Sequence, residues 1–223
     1  MRVLVRFSKT DMARYISHLD LLRLMQRVLR RAEVPLSYTQ GFHPHPKMAF
    51  ASALGVGIES RSEYMDLALE RDVDLRETAD DINRVLPAHI RVLGIREIDP
   101  SVKGLMGMVT AASYLLTIPL GEEELSMRCR KIMESDTCIR TIVKKGKEQE
   151  VDIRAGLHRL TVRDGTVDLM ADAGSRRNLN PIWFVDALWQ ETERKTVETA
   201  RIVRTDLYEG NAGEWTSLWE MEA

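Results

Sequence analysis

The sequence predicts an α+β protein made of two ferredoxin-like domains in tandem, each with the order β-α-β-β-α-β, followed by a short helical tail. Three observations support this prediction. The chain has 223 residues, which suits two domains of roughly 100 to 150 residues. Strand-like and helix-like patterns follow one another in the same order in both halves. Proline and glycine interrupt these patterns between the halves. The predicted domains are residues 1–99 and 108–210, and the predicted tail is residues 211–223.

The first predicted domain begins with a strand, because apolar residues occupy every second position from Val3 to Phe7. A helix follows, with Ser17 as its N-cap and the Asp20 carboxylate in its first turn. Pro35 lies beyond its end. The apolar residues of this helix recur at three- and four-residue steps and are Leu19, Leu22, Met25, Val28, Leu29 and Ala32. The remaining elements are predicted as strands near 36–38, 47–54 and 63–70, a helix over 74–86 and a strand over 91–98.

The second predicted domain repeats this order without similarity of residues. Its predicted elements are a strand over 114–118, a helix over 122–134, a strand region from 139, a hairpin at Asp164-Gly165, a helix from Pro181 to about Trp189 and a strand over 201–208. The Asp-Gly pair favours the type I′ turn of a hairpin. In the tail, helical spacing places Trp215, Leu218 and Trp219 on one face. That face either packs on its own domain or docks a partner.

Composition and charge point to a cytoplasmic protein that does not enter a membrane. No segment approaches the roughly 20 apolar residues of a membrane-spanning helix, and the N-terminus lacks the apolar core of a signal peptide. Two cysteines, Cys129 and Cys138, are too few for a disulfide framework or an all-cysteine metal site. The net charge is −2, but residues 1–61 carry ten Lys/Arg and four Asp/Glu. This N-terminal excess of positive charge favours a polyanionic partner.

The first predicted helix carries a basic face, the arginine row. Its members, at three- and four-residue steps, are Arg23, Arg27, Arg30 and Arg31. Guanidinium groups pair with phosphate oxygens through two parallel hydrogen bonds, so the row suits a nucleic-acid backbone. An ordinary solvated helix face has the same appearance, and the sequence leaves both interpretations open.

Residues 38–47 form the least ordinary segment, which we call the strap. Pro44 and Pro46 stiffen it by fixing their own backbone and restricting the preceding histidines. Its aromatic, imidazole, amide and ammonium groups predict RNA binding by base stacking and phosphate contacts. The predicted RNA-binding residues of the strap are Tyr38, Gln40, Phe42, His43, His45 and Lys47.

Other roles of the strap stay open. His43 or His45, or His18 from the preceding helix, are candidate catalytic residues for general acid/base cleavage of RNA. The same three histidines form a poor metal site, because in extended geometry positions 43 and 45 point in divergent directions, and no metal is predicted. A purely structural rigid loop is the remaining interpretation. In the second domain, residues 174–181 suit either an anion site at a helix N-terminus or simple capping by Asn180 with Pro181 in the first turn.

Four segments resemble the radical-SAM-associated bacterial domain of unknown function, which occurs alone or fused behind a radical-SAM domain. They are Ser17-His18-Leu19-Asp20, the strap, Gly55 through Tyr64, and Asp152-Ile153-Arg154. The resemblance covers nearly the whole chain, and the Gln-Gly-Phe-His-Pro-His-Pro-Lys run is its most specific part. Arg177 and Asn180 depart from the Gly-Asn-Leu-Arg-Pro-like motif of that domain.

The resemblance implies a partner, a radical-SAM protein on a separate chain, and a genomic setting beside ribonuclease and ribosomal-protein genes that favours RNA. A radical-SAM cluster needs three closely spaced thiolates, and this chain has two cysteines. We therefore expect a non-catalytic accessory without a cofactor that binds or presents RNA in tRNA or rRNA processing or modification. The alternatives are a histidine-dependent, metal-independent endoribonuclease and a protein-interaction scaffold that does not bind RNA.

Overall fold

A computed structural model describes residues 1–144, 146–189, 200–211 and 213–221. The predicted α+β class is confirmed. The chain forms a nine-stranded, mostly antiparallel sheet, a separate two-stranded sheet and a small number of helices. Within the described ranges, none of the helices is long and apolar enough to cross a membrane.

The N-terminal unit places its strands in the order β4-β1-β3-β2, and each neighbouring pair is antiparallel. Its elements are β1 (Arg2–Lys9), α1 (His18–Arg31), β2 (Met48–Phe50), β3 (Glu59–Ala68), α2 (Leu75–Val85) and β4 (Ile90–Glu97), and the short α3 (Leu105–Met108) follows. The Ser17 hydroxyl caps α1 by accepting a hydrogen bond from the Asp20 amide, as predicted. Residues 36–38, predicted as a strand, make only isolated bridges.

The core of this unit lies between the sheet and its two helices. Val5 and Phe7 of β1 face Met25 and Leu29 of α1, and all four side chains are buried. Leu19, which the spacing placed in the apolar stripe of α1, is exposed instead. Leu21 fills the buried position because the helix presents residues 21, 25, 28 and 29 to the sheet.

The C-terminal unit has the strand order β10-β5-β9-β8, again with antiparallel neighbours. Its elements are β5 (Ala111–Thr117), α4 (Glu122–Glu134), β6 (Ile139–Lys144), β7 (Lys147–Asp152), β8 (Leu157–Arg163), β9 (Thr166–Asp172), α5 (Pro181–Leu188), β10 (Arg201–Asn211) and β11 (Glu214–Ser217). The predicted hairpin at Asp164-Gly165 is confirmed, because both residues adopt positive φ between β8 and β9. The β6–β7 hairpin stands apart as the second sheet.

The two units share one sheet, because β3 and β10 pair in parallel through Val203 opposite Glu59 and Arg204 opposite Ser60. One apolar cluster also extends across this join, and it includes Leu4 and Tyr64 from the N-terminal unit. The division of the chain at residues 99 and 108 stays a prediction.

The predicted helical tail is wrong. Residues 214–217 form β11, which pairs with β10. Gly210 and Gly213 have φ of +117° and +103°, and this left-handed backbone turns the chain back as a hairpin. The Leu218 amide then donates to the Leu207 carbonyl rather than to a helical neighbour. Leu218 is buried and Trp219 is partly buried, so the tail packs on its own sheet. Ala212, Glu222 and Ala223 lie outside the described residues.

Candidate functional site

The strap is a hairpin tied at its base to the end of β3. The Ser37 amide donates to the Ala68 carbonyl, and the Lys47 amide donates to the Ser37 carbonyl, both at 2.8 Å. Higher up, the Thr39 amide donates to the His45 carbonyl at 2.9 Å, and the His45 amide donates back to the Thr39 hydroxyl at 3.0 Å. Gly41, with a φ of +127°, turns the chain at the tip. The strap therefore has a fixed base and a projecting tip.

The side chains of the strap face solvent. Phe42 is fully exposed at 102%, and the other predicted contact residues are also exposed, namely Tyr38, Gln40, His43, His45 and Lys47. An aromatic ring normally avoids water because burial of apolar area is favourable. A stiff hairpin that holds a phenylalanine ring in solvent is suited to contact a partner.

The arginine row is also exposed. All four guanidinium-bearing residues lie on the face of α1 opposite the buried stripe. Arg23 approaches the Asp20 carboxylate at 3.6 Å, with both side chains about two-thirds exposed. Arg31 lies at the other end of α1, where it lines a groove of about 470 Å³ between α1 and α2. The row thus spans the length of the helix.

The three candidate catalytic histidines are not brought together. His18 begins α1, and its ring packs edge-on against Phe50 with a centroid distance of 5.4 Å. Within the described part of the chain, no hydrogen bond, ion pair or ring contact joins His18, His43 or His45 to one another or to a carboxylate. No group of three or more His, Cys, Asp or Glu side chains suited to a metal ion occurs among the described residues.

A buried ion cluster that the sequence patterns did not predict lies where β3 meets β10. Arg204 donates two hydrogen bonds to the Glu63 carboxylate, at 2.8 and 2.7 Å. Both residues are buried, with exposures of 2% and 3%. Burial alone would lower the pKa of Arg204, but the adjacent Glu63 carboxylate raises it above its ordinary value. The pair spans the join of the two units.

Lys9 completes the ion cluster from β1. Its ammonium group is buried and donates to the carbonyls of Ile16 at 2.8 Å and Arg14 at 3.4 Å. Burial lowers the pKa of Lys9, and the nearby negative charge of Glu63 opposes that change. Lys9 fixes the turn that leads into Ser17 and the start of α1.

Glu59 connects the same turn to the C-terminal unit. Its carboxylate accepts hydrogen bonds from Arg201 at 2.9 and 2.8 Å, from Arg14 at 3.1 Å and from the Asp11 amide at 3.2 Å. The Gly57 amide in addition donates to the Arg14 carbonyl. The segments around Ser17 and from Gly55 to Tyr64 are therefore held side by side, next to the strand that anchors the strap.

Residues 2–181 match the family described as uncharacterized proteins conserved in bacteria, DUF2344. The chain belongs to this family. The match includes the strap, the arginine row, Lys9, Glu59 and Glu63, whereas Arg201 and Arg204 of this DUF2344 chain follow the matched residues. No curated protein matches the chain.

The loop at residues 174–181 caps a helix in this DUF2344 protein. The Asn180 side chain accepts a hydrogen bond from the Ile182 amide at 3.1 Å, and Pro181 begins α5. Arg177 lies 3.0 Å from the Asp172 carboxylate, which also contacts His158 at 2.8 Å. The capping interpretation explains Asn180, and Arg177 is already paired.

We expect Glu59→Gln to destabilise the protein by about 1–2 kcal/mol at pH 7 and by less at pH 3. Hydrogen bonds from Arg201, and then from Asp11 and Arg14, hold the pKa of Glu59 below its ordinary value. The unfolded chain therefore binds this proton more readily than the folded chain. The stabilisation is complete above the unfolded pKa of about 4.3 and disappears as the pH falls through the folded pKa.

Urea unfolding at both pH values measures this difference. The control is Glu97→Gln, which neutralises an exposed carboxylate of β4 and should change the free energy of unfolding by less than about 0.5 kcal/mol. A loss of stability in Glu59→Gln that is the same at pH 7 and pH 3 would contradict the proposed role of the charge.

One member of the ion cluster, Lys9, could have been found from the sequence. Residues 3, 5, 7 and 9 lie on alternate positions of β1, so the pattern that buries Val5 and Phe7 also buries Lys9. A buried lysine requires a carboxylate or several carbonyl groups nearby. The sequence did not identify Glu63 and Arg204 as the ion pair near Lys9, because 141 residues separate Glu63 from Arg204.

Proposed function

We propose that this chain is a non-catalytic, cytoplasmic accessory protein that binds RNA through the strap and the arginine row and presents it to a radical-SAM enzyme on a separate chain. The exposed, stiffened strap with Phe42 at its tip is the observation that carries the RNA part of the proposal. The resemblance of four sequence segments to the radical-SAM-associated domain carries the partner. The proposed setting is the processing or modification of tRNA or rRNA.

The geometry of the strap favours single-stranded RNA. Unpaired bases stack on aromatic side chains, and each such contact contributes about 1–3 kcal/mol. Phe42 and Tyr38 offer rings, while His43 and His45 offer imidazoles that hydrogen-bond to base edges. Because two prolines and the hydrogen bonds at the base already fix the backbone, binding orders few further torsions.

The charge of α1 supplies contacts to the RNA backbone. Among the described residues, no carboxylate lies within salt-bridge distance of Arg27, Arg30 or Arg31. Their guanidinium groups therefore remain available for phosphates. Each neutralised phosphate releases counterions, so binding through this row weakens as salt rises.

The proposal includes the two ferredoxin-like domains. The strand orders β4-β1-β3-β2 and β10-β5-β9-β8 support this organisation, and in each unit two helices follow the first and third strands of the four. The β6–β7 hairpin is then an insertion between the first helix and the second strand of the C-terminal domain.

We expect Phe42→Ala to weaken the binding of single-stranded RNA roughly tenfold, because the variant loses one stacking contact of about 1–3 kcal/mol. The salt dependence of binding should not change, because the ring carries no charge. Filter binding with labelled RNA at several salt concentrations measures both quantities. The control is Met127→Ala, which truncates an exposed apolar side chain of α4 and should bind as the wild type does.

Three results would contradict the proposal in different ways. Absence of RNA binding, or binding that does not weaken with salt, removes the electrostatic interface. Cleavage of the RNA that disappears in His43→Ala or His45→Ala identifies an endoribonuclease instead. Co-purification with a radical-SAM chain together with indifference to RNA identifies a scaffold.

A further inference from the structure

Two further arginines, Arg6 and Arg96, lie close to Trp219 on the other face of the N-terminal sheet. Val3, Val5 and Phe7 of β1 point to the core beneath α1 and α2, so the alternate residue Arg6 points to the opposite face. Gly94 of β4 pairs with Arg6 in the sheet. The Trp219 ring lies over Gly94, where an added Cβ would come within 3.0 Å of the ring. Because glycine has no side chain, the indole can pack directly on the backbone at Gly94.

Two guanidinium groups lie close to this ring. The Cζ atom of Arg6 lies 5.9 Å from the ring centroid, and that of Arg96 lies 5.7 Å from it. Arg96 donates to the carbonyls of Leu218 and Met221 at 3.3 and 3.1 Å, and so holds the tail that carries Trp219. The two cations therefore meet at one partly buried aromatic side chain.

Within the described part of the chain, neither cation has a carboxylate partner. Among the residues that the structure describes, no Asp or Glu lies within salt-bridge distance of Arg6 or Arg96. The Nε atom of Arg6 donates to the Ser62 hydroxyl at 2.8 Å, and its Nη atoms make no hydrogen bond with described residues. The Nε atom of Arg96 is buried and has no hydrogen-bond partner there. Burial lowers the pKa of Arg96, as expected for a cation without a counter-charge.

We propose that Arg6, Arg96 and Trp219 form a binding site for a nucleoside monophosphate unit. The free Nη groups of Arg6 match the oxygens of a phosphate through two parallel hydrogen bonds. The phosphate supplies the negative charge that the described surroundings of the two guanidinium groups lack, and the partly exposed indole offers a surface against which the base packs. A free nucleotide and the terminal nucleotide of an RNA both carry this chemistry.

This site is separate from the interface proposed for the strap. The arginine row belongs to α1, and α1 covers the face of the sheet opposite to Arg6. Loss of RNA binding in strap variants and loss of nucleotide binding in an Arg6 variant are therefore independent results.

Isothermal titration of the full chain with 5′-AMP, with inorganic phosphate and with a 5′-phosphorylated oligonucleotide tests the proposal. We expect 5′-AMP to bind the wild type and Arg6→Ala to weaken it roughly tenfold or more, because one doubly hydrogen-bonded ionic contact is lost. The conservative Arg6→Lys variant should retain part of the affinity, since it keeps the charge without the planar pair of donors. The oligonucleotide also reaches the interface proposed for the strap, so only the part of its affinity that Arg6→Ala removes reports on this site. A larger loss for the oligonucleotide than for 5′-AMP in Arg6→Ala assigns the site to RNA ends, and the reverse order assigns it to free nucleotides.

The matched control is Arg76→Ala, which removes one exposed arginine of α2 on the other layer and should leave the affinity unchanged. Thermal unfolding without ligand confirms that each variant is folded. The proposal is overturned if 5′-AMP does not bind the wild type and Arg6→Ala binds the oligonucleotide as tightly as the wild type does. It is equally overturned if Arg6→Ala binds as the wild type does, or if Arg76→Ala weakens binding as much as Arg6→Ala does.

Discussion

Replacing Arg204 by alanine is expected to lower the free energy of unfolding by about 3–5 kcal/mol, because it leaves the Glu63 carboxylate buried without its partner. Glu63 is 3% exposed. Its carboxylate accepts two short hydrogen bonds, and both come from the Arg204 guanidinium. Lys9 offers only partial compensation, since its ammonium group donates to the carbonyls of Arg14 and Ile16. The variant also removes the ionic connection across the short pairing of β3 with β10.

Urea unfolding at pH 7 measures this loss. Two further variants serve as a control and as a test of the charge pair. Arg159→Ala removes an exposed arginine of β8 and should change the stability by less than about 0.5 kcal/mol. The double variant Glu63→Leu/Arg204→Met should lose less stability than Glu63→Leu and Arg204→Met lose when their separate losses are added. The double variant leaves neither charge of the pair buried alone. A loss below about 1 kcal/mol in Arg204→Ala would show that the buried pair does not stabilise the contact between the two units.

Local patterns predicted the elements whose conformation depends on neighbouring residues. Alternation along β1, the Ser17 cap, the turn at Asp164-Gly165 and the Asn180-Pro181 start of α5 all follow from backbone chemistry within a few positions. The α+β class followed from the sum of these patterns. The same alternation places Arg6 and Val5 on opposite faces of the sheet.

Interactions between distant parts of the chain were not predictable in the same way. The pairing of β3 with β10 and the ion pair of Glu63 with Arg204 depend on how the two units meet, and no spacing in one chain encodes that contact. The prediction of a helical tail was wrong for a different reason. Trp215, Leu218 and Trp219 fit a helical face as well as a hairpin followed by a turn, and the positive φ of Gly210 decides between them.

In the candidate site, too, some residues could be predicted from the sequence and others could not. Residue type and stiffness identified the strap from sequence, and the structure shows its side chains exposed on a fixed base. Their role in RNA binding stays a prediction. Glu59, Lys9 and Arg96 were missed because their importance depends on partners that lie far away in the sequence.

Gly210→Ala is expected to destabilise the protein by about 2–4 kcal/mol through strain in the β10–β11 hairpin. Gly210 has a φ of +117°, which a residue with a Cβ rarely adopts. The added Cβ would also lie 2.1 Å from the Glu214 carbonyl oxygen. Because this neighbour is backbone within the hairpin, relief requires the pairing of β10 with β11 to open. Urea unfolding measures the loss, and hydrogen exchange at the Leu218 amide, which donates to Leu207, reports the local opening.

The matched control is Gly107→Ala in α3, where no atom lies within 4 Å of the added Cβ. Alanine there should leave the stability unchanged or raise it by about 0.5–1 kcal/mol, because glycine is the weaker helix former. Opening of the hairpin has a consequence beyond stability. It displaces Ser217, which donates to Asp206 at 2.8 Å, and with it Trp219, whose ring lies close to Arg6 and Arg96. Gly210→Ala should therefore weaken 5′-AMP binding together with the protection of Leu218. Preserved protection of that amide would mean that the hairpin tolerates the added Cβ.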